Sequence, residues 1–354
     1  MVYLKLKNLG FKFYKAFKHN YVKRTITKQY RAKTNNTVSL TKMQKKTIKA
    51  FYAPYCGINN VFHRFYLQAT GEFSEKFLPA SIYFNKIDEH FNATKEALYL
   101  DNKCYYKKLL PGINQPVNVI ARIGKFWFDE NDNIIDYDNV KEIVSSQEEL
   151  FLKTAVDSRG GKGVCYISNK NGDIVEQFEK FKCKCDFVAQ KPIRQHKDMA
   201  AINMSSVNTI RAISMLTENE VKIYSIIIRA GQKGEKCDNA TGGGISIGVD
   251  KNGRLKKLGY DLRGNRWEKH PTNGFVFEGH AVPSFESVKD LIKKMHPMVP
   301  HFRLVSWDVA IDEEGSPILL ETNLCQGSLD VHQLNNGPLF GDDTEKVLNE
   351  VFNK

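Results

Sequence analysis

Two carboxylates and an amide near the C-terminal end of the chain have types and spacing that suit a shared metal site. The stretch SWDVAIDEEGSPILLETN, residues 306–323, alternates apolar and polar positions around a turn and predicts a β-hairpin. With EEGS as the loop, Asp308 faces Glu321, and Asn323 projects from the same face as Glu321. Like charges opposed on a sheet are destabilising, and Mg²⁺ held by oxygen ligands would relieve the repulsion. A solvated strand face, on which water screens the charges, is the alternative.

The assumed four-residue loop fixes the rest of the hairpin register. It places Ile311 opposite Ile318 and Val309 opposite Leu320. Pro317 then starts the second strand, where its missing N–H does least harm.

A glycine-rich segment, LFLKTAVDSRGGKGVCYI (residues 150–167), predicts a strand, a loop and a second strand. Lys153 ends the first strand, and the loop contains Gly160, Gly161, Lys162 and Gly163. Glycines let backbone amides approach phosphate oxygens, and a lysine adds positive charge. The segment lacks the GxxxxGK[ST] pattern, and a plain turn fits it equally well.

The segment DFVAQKPIRQHKD (residues 186–198) is an apolar strand that runs into Pro192. A strand that ends this way leaves neighbouring backbone groups without ladder partners. The groups of Lys191 and Ile193 could therefore bind the edge of an adenine ring. An ordinary strand end is the alternative.

Two arginines lie on strands rich in β-branched residues, Arg211 in SVNTIRAISML and Arg229 in VKIYSIIIRAG. An arginine in such a position requires an anionic partner. That partner is either a buried Asp or Glu, or a phosphate or carboxylate of a ligand.

The charge of the 354-residue chain is distributed unevenly. The net charge is +12, yet no acidic residue precedes Glu72. The stretch LKLKNLGFKFYKAFKHNY has apolar residues three or four apart with lysines between them, which predicts a basic amphipathic helix. We expect this arm to lie on an anionic membrane surface. Packing on the body of the protein is the second alternative. Nucleic-acid binding is the third and is not expected, since no nucleic-acid motif accompanies it.

The remaining composition is typical of a globular protein, with 42% hydrophobic residues. No apolar segment is long enough to span a membrane, and no apolar run after the start indicates a cleavable signal peptide. The cysteines contain no CxxC pair, and we expect all seven to be reduced thiols of a cytosolic protein. They are Cys56, Cys104, Cys165, Cys183, Cys185, Cys237 and Cys325.

The elements that must position these residues are mainly helices at first and strands later, which indicates an α+β fold with antiparallel sheets. Residues 40–110 carry apolar residues at helical spacing. Helices are also expected at 196–204 and 284–296. Strands are expected at 150–155, 163–168, 186–190, 207–216, 221–230, 244–250, 304–312 and 317–322.

Taken in order, these segments resemble the ATP-grasp enzymes. Asp308, Glu321 and Asn323 are similar to the family's D…ExN metal ligands, with the spacing seen in D-alanine–D-alanine ligases. The stretches VNTIRAIS, GGGISIGVD and WDVA look most like the sugar-transfer-associated ATP-grasp proteins found near surface-polysaccharide genes. The resemblance covers roughly residues 95–340. It implies two α+β subdomains that grip ATP between antiparallel sheets, with Mg²⁺ bound to the triphosphate.

The resemblance also implies a nucleotide site. Lys153 corresponds to the phosphate-binding lysine of the family, and QKPI to its adenine-binding hinge, with Gln190 in place of the usual acid. The ribose-binding acid of the family falls near Lys197, so Asp198 is the substitute. The implied set is Lys103, Lys153, Ser158, Gly160, Gly161, Lys162, Gly163, Gln190, Lys191, Ile193 and Asp198.

Four regions follow from the resemblance and the charge pattern. Residues 1–60 form a basic amphipathic arm, and residues 61–145 a mainly helical region. Residues 146–193 form the ATP-grasp N-subdomain with the glycine-rich loop, and residues 194–354 the C-subdomain with the metal site.

The implied activity is that of an ATP-dependent carboxylate–amine ligase, with Arg211 or Arg229 holding the transferring phosphoryl group. The segment CDNATGGGIS would line the acceptor site through Asn239, Thr241 and Gly243. The implied acceptor is a carboxylated sugar or glycan and the donor an amine. The implied location is the cytoplasm, close to the inner face of the membrane.

Two other activities remain open at this stage. A sugar kinase on the same fold would require a general base, for which Asp330 or His332 in GSLDVHQ is available. A catalytically inactive nucleotide-binding scaffold for polysaccharide assembly is the other alternative.

Overall fold

The computed structural model describes residues 19–34, 38–156, 163–181, 185–232 and 243–353. Its first part is helical, and aromatic side chains hold the helices together. The ring of Tyr30 packs edge-on against Phe62 and Phe65 at centroid distances of 4.6 and 5.1 Å. The helices are α1 (residues 19–33), α2 (Lys42–Tyr52), α3 (Val61–Thr70), α4 (Ala80–Ile82), a π-helical turn (Tyr83–Ile87), α5 (Asp88–Phe91), α6 (Ala97–Leu100) and α7 (Tyr106–Leu109).

A six-stranded antiparallel sheet, the N-sheet, follows in the strand order β3-β2-β1-β6-β4-β5. One face packs on α8 (Tyr137–Ser145) and α9 (Ile174–Phe181). The sheet draws strands from both sides of the boundary predicted at residue 145. The strands are β1 (Asn118–Ile123), β2 (Phe126–Phe128), β3 (Ile134–Ile135), β4 (Glu149–Thr154), β5 (Val164–Ser168) and β6 (Phe187–Gln190).

A seven-stranded antiparallel sheet, the C-sheet, has the order β11-β10-β9-β8-β7-β12-β13. Apolar residues of one face pack on α10 (Lys197–Ile202) and α11 (Phe285–Met295). Part of the other face packs against the N-terminal helices. It also packs against two C-terminal helices, α12 (Asp330–Asn336) and α13 (Thr344–Phe352). The strands are β7 (Thr209–Leu216), β8 (Val221–Ala230), β9 (Ile245–Val249), β10 (Leu255–Tyr260), β11 (Arg266–Trp267), β12 (Leu304–Ile311) and β13 (Pro317–Asn323).

The hairpin β12–β13 confirms the predicted register at one end and corrects it at the other. Asp308 is the cross-strand partner of Glu321, as expected. A bulge follows, so Val309 pairs with Leu319 instead of Leu320. The bulge shifts the turn end of the hairpin by one residue, and Ile311 pairs with Pro317 instead of Ile318.

The sheets agree with the predicted α+β class, and all eight predicted strands form. The strands β3, β10 and β11 were not predicted, because II, LKKLGY and RW are too polar or too short to show a clear alternation. The helical pattern over residues 95–110 breaks into α6 and α7, with residues 101–105 between them outside any helix. That interruption brings Lys103 to the candidate site.

Two expectations concern the whole chain. Cys185 is disulfide-bonded, so the expectation that all seven cysteines are reduced was wrong. The other cysteines in the described ranges are free thiols, namely Cys56, Cys104, Cys165 and Cys325. In the part of the chain that the structure describes, no helix has the length and apolar character to cross a bilayer.

Candidate functional site

Four neighbouring strands of the C-sheet bring charged side chains to one face. Arg211 on β7 pairs across the ladder with Asp308 on β12, and Asp308 pairs with Glu321 on β13. Cross-strand partners project from the same face of a sheet. Arg229 on β8 lies two residues beyond Ile227, the partner of Arg211, and therefore shares this face.

Each carboxylate of this row has a cationic partner in the protein. The Nε of Arg211 donates to Oδ1 of Asp308 at 2.6 Å, and Nη1 of Arg229 donates to Oδ2 at 3.3 Å. The Nζ of Lys103 donates to Oε1 of Glu321 at 2.7 Å. Of the two alternatives for the arginines, a buried acid is thus their observed partner. Side-chain cations also compensate the opposed carboxylates, so their opposition does not by itself require a metal ion.

The arginines determine the ionisation of the groups beside them. Burial alone would raise the pKa of Asp308, but Arg211 and Arg229 hold this pKa below its usual range. His332 on α12 is fully buried, and burial together with Arg211 lowers its pKa to about 3. The face therefore presents an ionised carboxylate and a neutral imidazole across the physiological pH range.

The donor set of this face fits a magnesium–triphosphate complex better than a lone cation. Asp308, Glu321 and Asn323 offer oxygen atoms of the kind that Mg²⁺ prefers. The two carboxylates and the three cationic groups leave one excess positive charge, which repels a lone cation and attracts a complex with net negative charge. The buried Nδ2 of Asn323 has no hydrogen-bond partner among the described residues. No cluster of three His, Cys, Asp or Glu side chains suited to a metal occurs within the described ranges.

The N-sheet carries a second set of predicted residues on a single face. Lys153 on β4 pairs with Val188 on β6, and Phe151 pairs with Gln190. Lys153 and Gln190 therefore project from the same side, opposite the face that packs on α8 and α9. The Nζ of Lys153 lies 5.9 Å from the ring centroid of Phe151.

The end of β6 has a buried side-chain acceptor without a partner among the described residues. Gln190 is buried; its Nε2 donates to Oδ1 of Asn118 at 2.8 Å, and its Oε1 has no partner in the described structure. A buried acceptor of this kind requires a donor, such as an exocyclic amino group. The amide of Lys191 is bonded to the carbonyl of Val117 at 3.1 Å. Among the described residues, the Lys191 carbonyl and the Ile193 amide take part in no backbone hydrogen bond.

Lys103 connects the two sheets. Its amide donates to the carbonyl of Ala155, just beyond β4, at 3.0 Å, while its buried side chain reaches Glu321. Nearby, burial raises the pKa of Asp101 to about 6, although hydrogen bonds from Thr322 and Tyr106 oppose the change. The predicted phosphate lysine of β4 and the predicted metal ligands of β13 are thus joined through one short segment.

The other predicted residues are less informative. Gly163 closes the β4–β5 hairpin at φ +74°, and a Cβ there would lie 2.5 Å from Oγ1 of Thr154, which requires glycine. Asp198 lies in the first turn of α10, half-exposed, 3.7 Å from Nδ1 of His196. Gly243 has φ +98°, and a Cβ at this residue would meet no atom within 4 Å. The remaining predicted positions lie outside the described residues, namely Ser158, Gly160, Gly161, Lys162, Asn239 and Thr241.

Two residues named as possible general bases have structural partners instead. Asp330 accepts hydrogen bonds from Tyr30, from Tyr66 and from Lys33. His332 is buried, and its Nδ1 lies 2.7 Å from Oγ of Ser225. Neither geometry favours proton abstraction from a sugar hydroxyl.

Sequence reasoning missed several residues that hold the site. Ser328 accepts from Nη1 of Arg211 at 2.9 Å, and Asp101, Tyr106 and Thr322 bond to one another behind Glu321. Nothing in the local pattern marks Ser328. For Asp101, Tyr106 and Thr322, the available signal was that Thr322 lies between two predicted metal ligands, Glu321 and Asn323.

Comparison with known proteins gives one family. A family described as sugar-transfer associated ATP-grasp matches residues 85–349. No curated protein matches the chain.

Solved structures match at low identity, and the chain spans about half the length of the first of them. The ATP-grasp ligase PsnB, complexed with a minimal precursor, is 11% identical, with a TM-score of 0.42 over 73% of this chain and 64% of that chain. D-alanyl-alanine synthetase A from Vibrio cholerae is 13% identical, with a TM-score of 0.40 over 72% and 64%. The biotin carboxylase domain of the Hydrogenobacter thermophilus 2-oxoglutarate carboxylase, in complex with MgADP, is 12% identical, with a TM-score of 0.43 over 72% and 46%.

Proposed function

Because this chain belongs to the sugar-transfer-associated ATP-grasp family, we propose that it is an ATP- and Mg²⁺-dependent ligase. It activates a substrate carboxylate as an acyl phosphate, which an amine or similar nucleophile then attacks. The reaction modifies a cell-surface polysaccharide, with a carboxylated sugar or glycan as acceptor.

The observation that carries this proposal is the charged row on the C-sheet. Arg229, Arg211, Asp308 and Glu321 lie side by side, and Lys103 reaches the row from the segment that also bonds to the end of β4. Three cations and two carboxylates on one face suit a triphosphate accompanied by a divalent cation.

Each sheet contributes one part of the nucleotide site. On the N-sheet, Lys153 binds phosphate oxygens, and the orphaned Oε1 of Gln190 accepts from the adenine amino group. The Lys191 carbonyl and the Ile193 amide bind the rest of the adenine edge, and Asp198 binds the ribose. On the C-sheet side, Lys103 binds a second phosphate.

Asp308, Glu321 and Asn323 would hold Mg²⁺, which would neutralise charge that develops during phosphoryl transfer. Arg211 and Arg229 exchange part of their contact with Asp308 for the transferring phosphoryl group. The guanidinium group of Arg211 is already oriented by Asp308 and Ser328, and that of Arg229 by Asp308, so little reorganisation accompanies the reaction.

The proposed reaction requires no side-chain nucleophile. A carboxylate oxygen attacks the γ-phosphorus, and the bond to the β-γ bridging oxygen breaks to release ADP. The amine then attacks the acyl carbon, phosphate leaves, and the amine proton passes to solvent. Positioning and charge stabilisation supply the rate enhancement.

We propose Asn239, Thr241 and Gly243 as the lining of the acceptor site.

We further propose that the basic N-terminal region faces an anionic membrane, which would hold this cytoplasmic enzyme near lipid-linked intermediates. The helices α1 and α2 support this idea, since they expose lysines and arginines and no acidic residue. Tyr21 and Met43, with 64% and 70% exposure, add apolar contact area on the same two helices. The segment before residue 19 lies outside the described residues. From residue 19 to residue 34 the chain packs on the body, as one alternative predicted, with Tyr30 buried.

A trapping experiment tests the proposed reaction. The protein is incubated with ATP, Mg²⁺, hydroxylamine and candidate uronic acids, and products are identified by mass spectrometry. A hydroxamate is expected, because hydroxylamine intercepts an acyl phosphate. A phosphorylated sugar instead would indicate a kinase, and nucleotide binding without turnover would indicate a scaffold.

Glu321→Gln is expected to reduce turnover sharply without unfolding the protein, whereas unchanged activity would contradict the metal assignment.

A further inference from the structure

A buried cluster on the reverse side of β13 sets the position of two proposed nucleotide-binding groups. The carboxylate of Asp101 accepts from the hydroxyl of Tyr106 at 2.9 Å and from the hydroxyl of Thr322 at 2.6 Å. The amide of Thr322 donates to the Tyr106 hydroxyl at 3.3 Å. We call these three residues the Asp101 cluster.

The cluster lies on the opposite face of the sheet from the charged row. Successive side chains of a strand alternate between faces, so Thr322 points away from Glu321 and Asn323. The strand β13 is at the edge of the C-sheet. The segment from Asp101 to Tyr106 therefore wraps around this edge, binding Thr322 behind the sheet while Lys103 reaches Glu321 in front of it.

The same segment is also fixed to the N-sheet. The Lys103 amide bonds to Ala155, and Cys104 packs in an apolar cluster with Ala121 and Val188. One short segment thus touches the end of β4 and both faces of β13. Its attachment to Thr322 determines where Lys103 stands between the two sheets.

We propose that Asp101, Tyr106 and Thr322 are positioning residues that hold Lys103 against Glu321 and so fix the spacing of the phosphate-binding groups. The inference rests on the proposed function for its link to nucleotide binding. The positional part concerns only residues of this chain and is measurable without a ligand.

Two variants remove single hydroxyl groups and keep side-chain volume nearly constant, Tyr106→Phe and Thr322→Val. Matched controls are Tyr52→Phe, whose hydroxyl donates to the carbonyl of Phe77 at 3.0 Å, and Thr344→Val, whose hydroxyl donates to Gly341 at 2.7 Å. Tyr52 and Thr344 are buried like their counterparts, but their hydroxyls bond to the carbonyls of Phe77 and Gly341 and not to Lys103 or β13.

The first readout is the acetylation rate of Lys103 in the nucleotide-free protein, followed by mass spectrometry. Lys103 is 5% exposed and bonded to Glu321, so it reacts slowly in the wild type. Both cluster variants are expected to raise the rate about tenfold, the effect of losing one hydrogen bond. The controls are expected to leave it unchanged.

The second readout is the Kd for ADP with and without Mg²⁺, by calorimetry. The cluster variants are expected to weaken Mg²⁺-dependent binding about tenfold. Both hydroxyls act through the carboxylate of Asp101. The double variant is therefore expected to raise the Kd for ADP by less than the product of the two single fold-changes.

The two proposals fail in different ways. Wild-type protein without Mg²⁺-dependent ADP binding would overturn the proposed function, and the acetylation rates would still decide the positional claim. Wild-type binding with cluster variants that match their controls in both readouts would overturn the role of the Asp101 cluster alone.

Discussion

Replacing Asp308 by Asn should destabilise the protein strongly, because this carboxylate is the shared partner of two arginines. The side chain of Asp308 is 5% exposed, and it lies 2.6 Å from Nε of Arg211 and 3.3 Å from Nη1 of Arg229. Removing one member of a buried ion pair typically costs about 3–5 kcal/mol. An amide keeps the shape and one acceptor, so we expect the free energy of unfolding at neutral pH to fall by about 3 kcal/mol.

The pH dependence of this loss has a definite sign. The arginines hold the pKa of Asp308 below its usual range in the folded protein. The stabilisation is therefore complete above the unfolded-state pKa, about 3.9, and is lost as the pH falls through the folded value. The difference between wild type and Asp308→Asn should persist from pH 7 to 5 and diminish below about pH 4.

Urea unfolding followed by tryptophan fluorescence measures this difference. Trp307, the neighbour of Asp308 on β12, is fully buried and donates from Nε1 to Oγ of Ser214 at 2.8 Å, so it reports on this region. The matched control is Asp343→Asn, because Asp343 pairs with Lys222 near the surface. The control should cost at most about 1 kcal/mol. If Asp308→Asn costs no more than this control, the two arginines do not depend on Asp308 and the electrostatic reasoning is wrong.

Three further outcomes are expected. Gln190→Leu removes the buried acceptor at the end of β6 and should raise the Kd for ATP about tenfold by calorimetry, an effect of one hydrogen bond; equal affinity would show that Oε1 does not bind the nucleotide. Deleting residues 1–18 should weaken co-sedimentation with anionic liposomes and leave ATP affinity unchanged, whereas undiminished co-sedimentation would show that this segment does not contribute to membrane binding. The free energy of unfolding should fall as the pH drops from about 6.5 towards 4, by up to about 1.4 kcal/mol per pH unit for each of three histidines, because burial keeps them neutral only in the folded state; a flat profile in urea titrations would contradict it. Their pKa values are lowered to about 4 for His63, about 4 for His296 and about 3 for His332.

For the opposed carboxylates Asp308 and Glu321, the sequence predicted the cross-strand pairing but neither the bulge beside it nor the cationic partners. Alternation and the turn were enough to predict that Asp308 faces Glu321, because both properties are local. The bulge after Asp308 was not predictable, since an extra residue in a strand leaves the apolar pattern nearly intact. Arg211 and Lys103 compensate the two charges, so the opposition of the carboxylates alone no longer implies magnesium.

The amino-acid sequence alone determined most of the element types, the pairing of the hairpin β12–β13 near Asp308, the order of the motifs and the concentration of positive charge before Glu72. These properties depend on neighbouring residues or on composition. Only the tertiary structure decided which charges meet. Arg211 and Asp308 are 97 residues apart, and Lys103 and Glu321 are 218 apart. The break between α6 and α7, which turns Lys103 around the edge of β13, also depends on packing against a distant strand. A periodic pattern records which face of an element is apolar, but it carries no information about which distant side chain will neutralise a given charge.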